Sequence, residues 1–356
     1  MSEDAAFGLA PRELRALGLT EATFSALQRP WTWDASGPRL GASKRRLLGA
    51  RSLAPLEIAA EARSTDGSVK LGLRTGGDLV EAVHMPRAVR GGRVTLCISS
   101  QVGCGMGCRF CATARMGLVR QLSPGELVLQ VLTSLHRLGP RQPGALTLVL
   151  MGMGEPLQNA AAVKKAVELL CDPLGLGLSP RRITLSTSGL VPEIAELGRW
   201  PTRPLLAVSL NATRNEQRAE LMPVGRRHHL AVLREALKAY PLRPRERITL
   251  EYVLLAGVND TPDDARRLAD FCAGIPHQLN LIPWNAHPGA PFTAPSDATV
   301  DTFARSVLAH RRTLLTVRRS RARDVAGACG QLATLNSSRP VQVIVPAAAK
   351  LRVLRG

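Results

Sequence analysis

The stretch Val94-Thr-Leu-Cys97-Ile-Ser-Ser100-Gln-Val-Gly-Cys104-Gly-Met-Gly-Cys108-Arg-Phe-Cys111 begins as a short β-rich run and ends in a loop holding three thiols. The run reads as a strand over Val94–Ser100. Five further runs rich in Val, Ile, Leu and Thr follow at Leu146–Met151, Arg182–Thr187, Leu205–Leu210, Ile248–Leu254 and Leu279–Pro283. Helical spacing fills most of the gaps. Ser123-Pro-Gly-Glu126 forms a capping box with proline at the first helical position. Leu127, Val128, Val131, Leu132, Leu135 and Leu138 then recur at helical intervals. Thr261-Pro-Asp-Asp264 starts another helix, with Ala265, Leu268, Ala269 and Cys272 on one face, and residues 230–239 show similar periodicity. Six strands alternating with helices specify an α/β protein with a parallel sheet and right-handed crossovers. A partial (β/α) barrel and an open doubly wound sheet both satisfy this pattern.

Outside that core the character changes. Residues 1–93 are punctuated by Pro, Gly and Arg, with a helical segment at 11–28 and two strands near 68–85, and are read as an N-terminal accessory region. The barrel-like core spans 94–296. A C-terminal extension, 297–336, carries a helix near 297–312, a strand Leu314–Arg318 and a helix near 324–334. The tail 337–356 is expected to be ill-ordered.

Composition narrows the function. The 356 residues include 47 Lys and Arg against 28 Asp and Glu, a formal charge of +19, and only six of the basic residues are lysines. Arginine forks match phosphate oxygens, so a polyanionic partner is expected. Arg311 to Arg323 holds six arginines and no acid, and Arg226-Arg227-His228-His229 with Arg243, Arg245 and Arg247 adds further charge. Aromatics at 3% argue against an aromatic stacking sheet for single-stranded RNA. No run approaches the ~20 apolar residues that span a membrane, and the N-terminus Met1-Ser-Glu-Asp4 opens acidic without an apolar signal core, so a cytoplasmic protein is expected. Seven clustered cysteines, an odd number, suit a reducing compartment in which thiols act as ligands or reagents.

The spacing CxxxCxxC over Cys104, Cys108 and Cys111 places three soft ligands on one short loop, a donor set for an iron–sulfur cluster or another soft metal. Structural zinc needs a fourth ligand, and no histidine lies between Cys97 and Arg120. Other polar residues fall at strand ends: Gly154 and Glu155 after the second strand, Ser186 on the third, Ser209, Leu210 and Asn211 at the fourth, and Asn285 after the sixth. Singly each is what a cap or turn also requires. Together they mark the active face of a (β/α) barrel.

The cysteine loop resembles the signature of the radical S-adenosylmethionine superfamily. With Thr95-Leu-Cys97-Ile-Ser-Ser-Gln-Val-Gly-Cys104, Gly152-Met-Gly-Glu-Pro156, Thr184-Leu-Ser-Thr-Ser-Gly189, Asn280-Leu-Ile-Pro-Trp-Asn285 and Ala328-Cys329-Gly-Gln-Leu332, the sequence is similar to the RlmN/Cfr family across about 80–335. The resemblance implies a partial (β/α)6 radical SAM barrel with a small N-terminal region and a C-terminal extension. It implies a [4Fe-4S] cluster on Cys104, Cys108 and Cys111 and two S-adenosyl-L-methionine molecules per turnover, bound at Gly154, Glu155, Ser186, Ser209, Leu210, Asn211 and Asn285. The open iron would chelate one of them, and an injected electron would cleave it to a 5′-deoxyadenosyl radical. Cys329 would carry a methyl group as S-methylcysteine, Cys97 would release the product through a disulfide with Cys329, and Glu81 would be the general base. The reaction implied is methylation of an adenine carbon, C2 ahead of C8, in RNA. Large-subunit ribosomal RNA (23S rRNA) is the first expectation and transfer RNA the second. A monomer served by an electron donor such as flavodoxin or ferredoxin is expected.

Some positions depart from the family pattern. Asn211 stands where histidine is common, and Ala322-Arg-Asp-Val325 replaces a more acidic Gly-Asp-Asp-Ile-like run. The N-terminal segment is expected to lack the family's usual helical stretch and carries Arg29-Pro-Trp-Thr-Trp33 instead. Cys171 and Cys272 match no motif and read as small buried residues. Two competing readings are a radical enzyme acting on another substrate and a non-catalytic RNA-binding protein whose cysteines hold zinc.

Overall fold

The computed structural model describes residues 5–87, 92–139 and 145–332. Three short helices come first, α1 (Pro11–Ala16), α2 (Glu21–Gln28) and α3 (Ala42–Leu48), followed by the antiparallel strands β1 (Glu57–Arg63), β2 (Val69–Thr75) and β3 (Asp78–Pro86). The core begins at β4 (Val94–Cys97), followed by a small hairpin of β5 (Gln101–Gly103) and β6 (Leu118–Gln121) and by α4 (Pro124–Leu138). Then come β7 (Leu146–Leu150), α5 (Ala160–Cys171), β8 (Ile183–Thr187), α6 (Val191–Leu197), β9 (Leu205–Ser209), α7 (Asn215–Leu221) and α8 (Leu230–Lys238). The chain continues through β10 (Ile248–Leu254), α9 (Pro262–Phe271), β11 (His277–Pro283), α10 (Asp297–His310) and β12 (Leu315–Val317).

Ten of these strands form one sheet in the order β1-β2-β3-β4-β7-β8-β9-β10-β11-β12. From β4 to β12 every neighbouring pair is parallel, whereas β3 joins β4 antiparallel. The parallel core is therefore extended by the N-terminal meander within the same sheet. Its strands read as nearly continuous apolar runs because helices cover the outer face. Among the described residues no helix is long and apolar enough to cross a membrane.

The six core strands lie where the sequence puts them, most of them one to three residues shorter. The helical segment expected at 11–28 is present as α1 and α2, with α3 beyond it and Trp33 packed tilted against Phe7 at 5.3 Å between ring centroids. Other expectations are corrected. β1 was not anticipated: Glu-Ile-Ala-Ala-Glu-Ala-Arg reads as helix by propensity, and as a half-exposed edge strand it has no strong alternation. The helix expected near 324–334 is, within the described residues, only a 3-10 turn at Arg323–Val325. Left-handed backbone at Ala322 and Ala326, and Gly330 beyond, break helical continuity there. The expected ill-ordered tail from 337 lies outside the described residues.

One junction ties the meander to the barrel. Ser123 Oγ accepts the Glu126 N–H (3.3 Å), and Glu126 in return accepts the Ser123 N–H (2.7 Å), which caps α4. The same buried carboxylate accepts the Thr75 hydroxyl (2.7 Å) and pairs with Arg120 (2.9 Å). Burial pushes its pKa up, but Arg120, the Ser123 N–H and Thr75 outweigh this and hold it below the usual carboxylate value. A depressed folded-state pKa gives stability that is full above the unfolded value, near 4.3, and is lost as pH falls through the lower folded value. Glu126→Gln should therefore cost about 1–3 kcal/mol at pH 7. In urea unfolding the gap from the parent should shrink in acid; a pH-independent gap would contradict this.

Candidate active site

The polar strand ends converge because β4 and β7 to β11 are parallel and present their carboxyl ends on one side. Just beyond β5, the cysteine loop is fixed by its backbone. Cys104 N–H donates to Gly117 O (2.8 Å), Arg109 N–H to Leu221 O (3.0 Å) and Cys111 N–H to Cys108 O (3.1 Å). Gly103 has φ +72°, and a Cβ there would lie 1.9 Å from Gly117 O, so only glycine lets the loop start. Trp284 Nε1–H donates to Phe110 O (2.9 Å) and pins the loop's far end.

Cys104, Cys108 and Cys111 all line one cavity of about 150 Å³. Among the described residues no three His, Cys, Asp or Glu side chains close round a point tightly enough for a single ion. Three soft thiols lining one cavity are a donor set for an iron–sulfur cluster, with one iron left for another ligand. Burial pushes the free Cys104 thiol up to about 12 and Cys108 well above its usual value, and metal coordination would reverse this by deprotonating them.

Gly154 and Glu155 line the same cavity. Gly154, at φ +100°, packs against Gln101, where a Cβ would come within 2.6 Å of the Gln101 Cβ. Glu155 Oε2 accepts the Ser188 N–H (2.7 Å) and hydroxyl (2.8 Å), and Oε1 accepts the Leu157 N–H (3.1 Å). Burial pushes its pKa up while these donors pull it down; the net direction is upward.

Ser186, Ser209, Asn211 and Asn285 also line this cavity. Asn211 sits at φ +57°, a left-handed position that asparagine and histidine both tolerate better than most residues. Its side-chain oxygen accepts the Val253 N–H (2.8 Å). Leu210 is buried behind the wall and contributes backbone only: its carbonyl accepts Arg218 Nε–H at 3.3 Å. Asn285 turns its amide donors toward the C-terminal segment, to Ser320 Oγ (2.9 Å) and Cys329 O (3.2 Å).

Cys329 also lines a second cavity of about 440 Å³, which holds Cys97 and the barrel threonines Thr95, Thr147, Thr184 and Thr249. It is the one thiol, among the described residues, common to both cavities. Burial pushes Cys97 up to about 12, with Cys329 close enough to add to the rise. Cys329 is raised to about 11 by burial, with Arg318 pulling it down. Glu81 lines neither cavity. It shares a sheet face with Val83, which lies opposite Cys97, so Glu81 is the diagonal cross-strand neighbour of Cys97. It pairs with Lys70 at 3.2 Å.

Several site residues escaped sequence reasoning. Glu251 accepts the Ser186 hydroxyl (3.1 Å) and pairs with Arg318 (3.5 Å), which places both charges between the cavities. Arg218 is fully buried and donates to Ser188 O (2.6 Å), Leu210 O and His228 O (3.3 Å each), bracing the walls behind Glu155 and Asn211. The arginine run is partly spent internally: Arg319 pairs with Asp297 and Arg321 with Asp66, although both also line the larger cavity. Cys272 is buried and Cys171 half-buried, away from both cavities.

Comparison with known proteins places the family and the fold. Residues 98–272 match the radical SAM superfamily. A dual-specificity RNA methyltransferase RlmN from Anaeromyxobacter sp. (strain Fw109-5) is 51% identical, over 81% of this chain and 76% of its own length. Another from Syntrophobacter fumaroxidans is 43% identical over 91% of this chain and 93% of its own. The chain belongs to the RlmN family. A crystal structure of a radical SAM methyltransferase from Sphaerobacter thermophilus, 38% identical, superimposes with a TM-score of 0.82 over 92% of this chain and 98% of that one. Its family brings this RlmN-type chain a [4Fe-4S] cluster and S-adenosylmethionine, and the thiol triad is a donor set that fits the cluster.

Proposed function

We propose that this RlmN-family protein methylates C2 of an adenosine in RNA, large-subunit ribosomal RNA first and transfer RNA second, by passing the methyl group through Cys329. The observation that carries the reading is the position of Cys329, in the wall of the cysteine-triad cavity and of the cavity holding Cys97. A carrier must meet its methyl donor on one side and its acceptor on the other. The relatives named RNA methyltransferases support RNA as the substrate class, and the charge of +19 suits a polyanion.

Cys104, Cys108 and Cys111 would hold the cluster, with Gly154, Glu155, Ser186, Ser209, Asn211 and Asn285 around the S-adenosylmethionine and Leu210 behind them. Bound there, the cofactors supply a methyl electrophile and a carbon-centred radical. The chain's own residues do the rest. The Cys329 thiolate takes the methyl group by displacement, and Arg318 beside it favours the charged sulfur. After loss of one hydrogen atom, the methylene bonds to the adenine carbon. Glu81 would take the proton from that carbon, and the unpaired electron left on the ring would pass to the cluster that Cys104, Cys108 and Cys111 would hold. Cys97 then attacks the Cys329 sulfur, forming a disulfide, and the released electron pair picks up a proton to complete the methyl group. Reducing equivalents would come from a small electron-transfer protein such as flavodoxin or ferredoxin.

The test is anaerobic turnover on ribosomal and transfer RNA with labelled S-adenosylmethionine, read by mass spectrometry of the digested nucleosides. Labelled 2-methyladenosine is expected. A protein with an intact cluster that methylates neither RNA would refute the substrate assignment, and 8-methyladenosine would refute the choice of carbon.

A further inference from the structure

We propose that the β1–β2 turn, residues 64–68, is a latch that positions the Cys329 loop for methyl transfer, with Asp66 and Asp324 as its positioning residues. This rests on the reading of Cys329 as the carrier. The two carboxylates cross between distant parts of the chain. Asp66 Oδ2 accepts the Ala322 N–H at 2.9 Å and Arg321 Nε–H at 3.4 Å, and the Asp66 carbonyl accepts Arg321 Nη2–H at 2.6 Å. In the other direction Asp324 accepts the Ser64 hydroxyl at 2.5 Å and the Thr65 N–H at 2.9 Å. Near the start of β2, Lys70 donates to Ala326 O at 3.3 Å while pairing with Glu81.

The backbone between these anchors does not hold its own shape. Ala322 and Ala326 have φ of +57° and +49°, a region that residues with a Cβ enter only at a cost. Between them is a single 3-10 turn, too short to be stable alone. Ala322 is fully buried, and a Cβ on Gly327 would come within 2.9 Å of its methyl group. External hydrogen bonds to charged groups can hold such a loop. Cys329 follows a few residues later, where both cavities meet. Asp66 and Asp324 line neither cavity, so their effect on the reaction must pass through the position of this loop. A misplacement of about 1 Å at a reacting group can cost roughly a hundredfold in rate.

The experiment compares the holoenzyme with the double variant Asp66→Ala/Asp324→Ala, with Asp66→Asn, whose amide oxygen still accepts the Ala322 N–H, and with Cys329→Ala. The double variant should keep its iron content and its KM for RNA within about twofold while kcat falls roughly ten- to a hundredfold. Asp66→Asn should recover most of that loss. A parent-like kcat in the double variant, beside an inactive Cys329→Ala, overturns the latch. A raised KM with unchanged kcat also overturns it, because the turn would then be an RNA contact. An active Cys329→Ala would instead sink the carrier reading. Should the double variant fail to fold, Asp324→Ala alone takes its place, and an unchanged kcat there overturns the proposal.

Discussion

Cys329→Ala should reduce RNA methylation by at least about a thousandfold while leaving the iron content unchanged. The expectation is large because no other described thiol lines both cavities. Cys97 lines only the larger one, and the triad thiols only the smaller. Alanine removes the nucleophile and the only atom that could carry the methyl group between them. The backbone contacts that seat the segment, Asn285 to Cys329 O and Ala112 N–H to Gly330 O, do not involve the sulfur and should persist. Rates would be measured by nucleoside mass spectrometry against Cys171→Ala, a substitution away from both cavities that should be near parent. A Cys329→Ala enzyme retaining a tenth of the parent rate would refute the relay.

Cys97→Ala should fail at a different stage and leave a different residue. In the proposed relay, methyl loading of Cys329 and bond formation to the adenine need no second cysteine, but release does. The variant should therefore accumulate RNA joined covalently to Cys329, stable to denaturation and removed only by cleaving the RNA or the peptide. After nuclease digestion, a nucleotide mass should remain on the peptide containing Cys329. The shared cavity supports this division of labour: Cys329 lies close enough to Cys97 to raise its pKa. Denatured Cys97→Ala protein that retains no RNA after turnover would exclude Cys97 from product release.

What was legible in the sequence was local. The core strands announce themselves through β-branched runs, and α4 through a capping box whose partners are three residues apart. The thiol triad is legible because three ligands share one loop, and polar strand ends because parallel topology gathers them. The unforeseen elements depend on long-range partners. Glu251 looks like an ordinary strand residue until Ser186 and Arg318 are brought to it from β8 and from just beyond β12. Asp66 and Asp324 look like turn formers until the meander folds back onto the C-terminal segment. The missing last helix has the same cause: groups around 322–331 find partners on Asp66, Lys70, Asn285 and Ala286, and the bonds within the segment close only isolated turns. The resemblance to the RlmN/Cfr family supplied roles for Cys97, Cys329 and Glu81 that spacing alone does not, and of these Glu81 sits furthest from the cavities.

The most direct test of the relay is the isotopic count in the product methyl group when S-adenosylmethionine carries a fully deuterated methyl. If the group resides on Cys329, loses one deuterium atom there and gains a solvent-derived proton on release, the adenosine product carries two deuterium atoms in its methyl group. A product retaining all three would mean that the methyl group moved intact, and Cys329 would not be its carrier by this route.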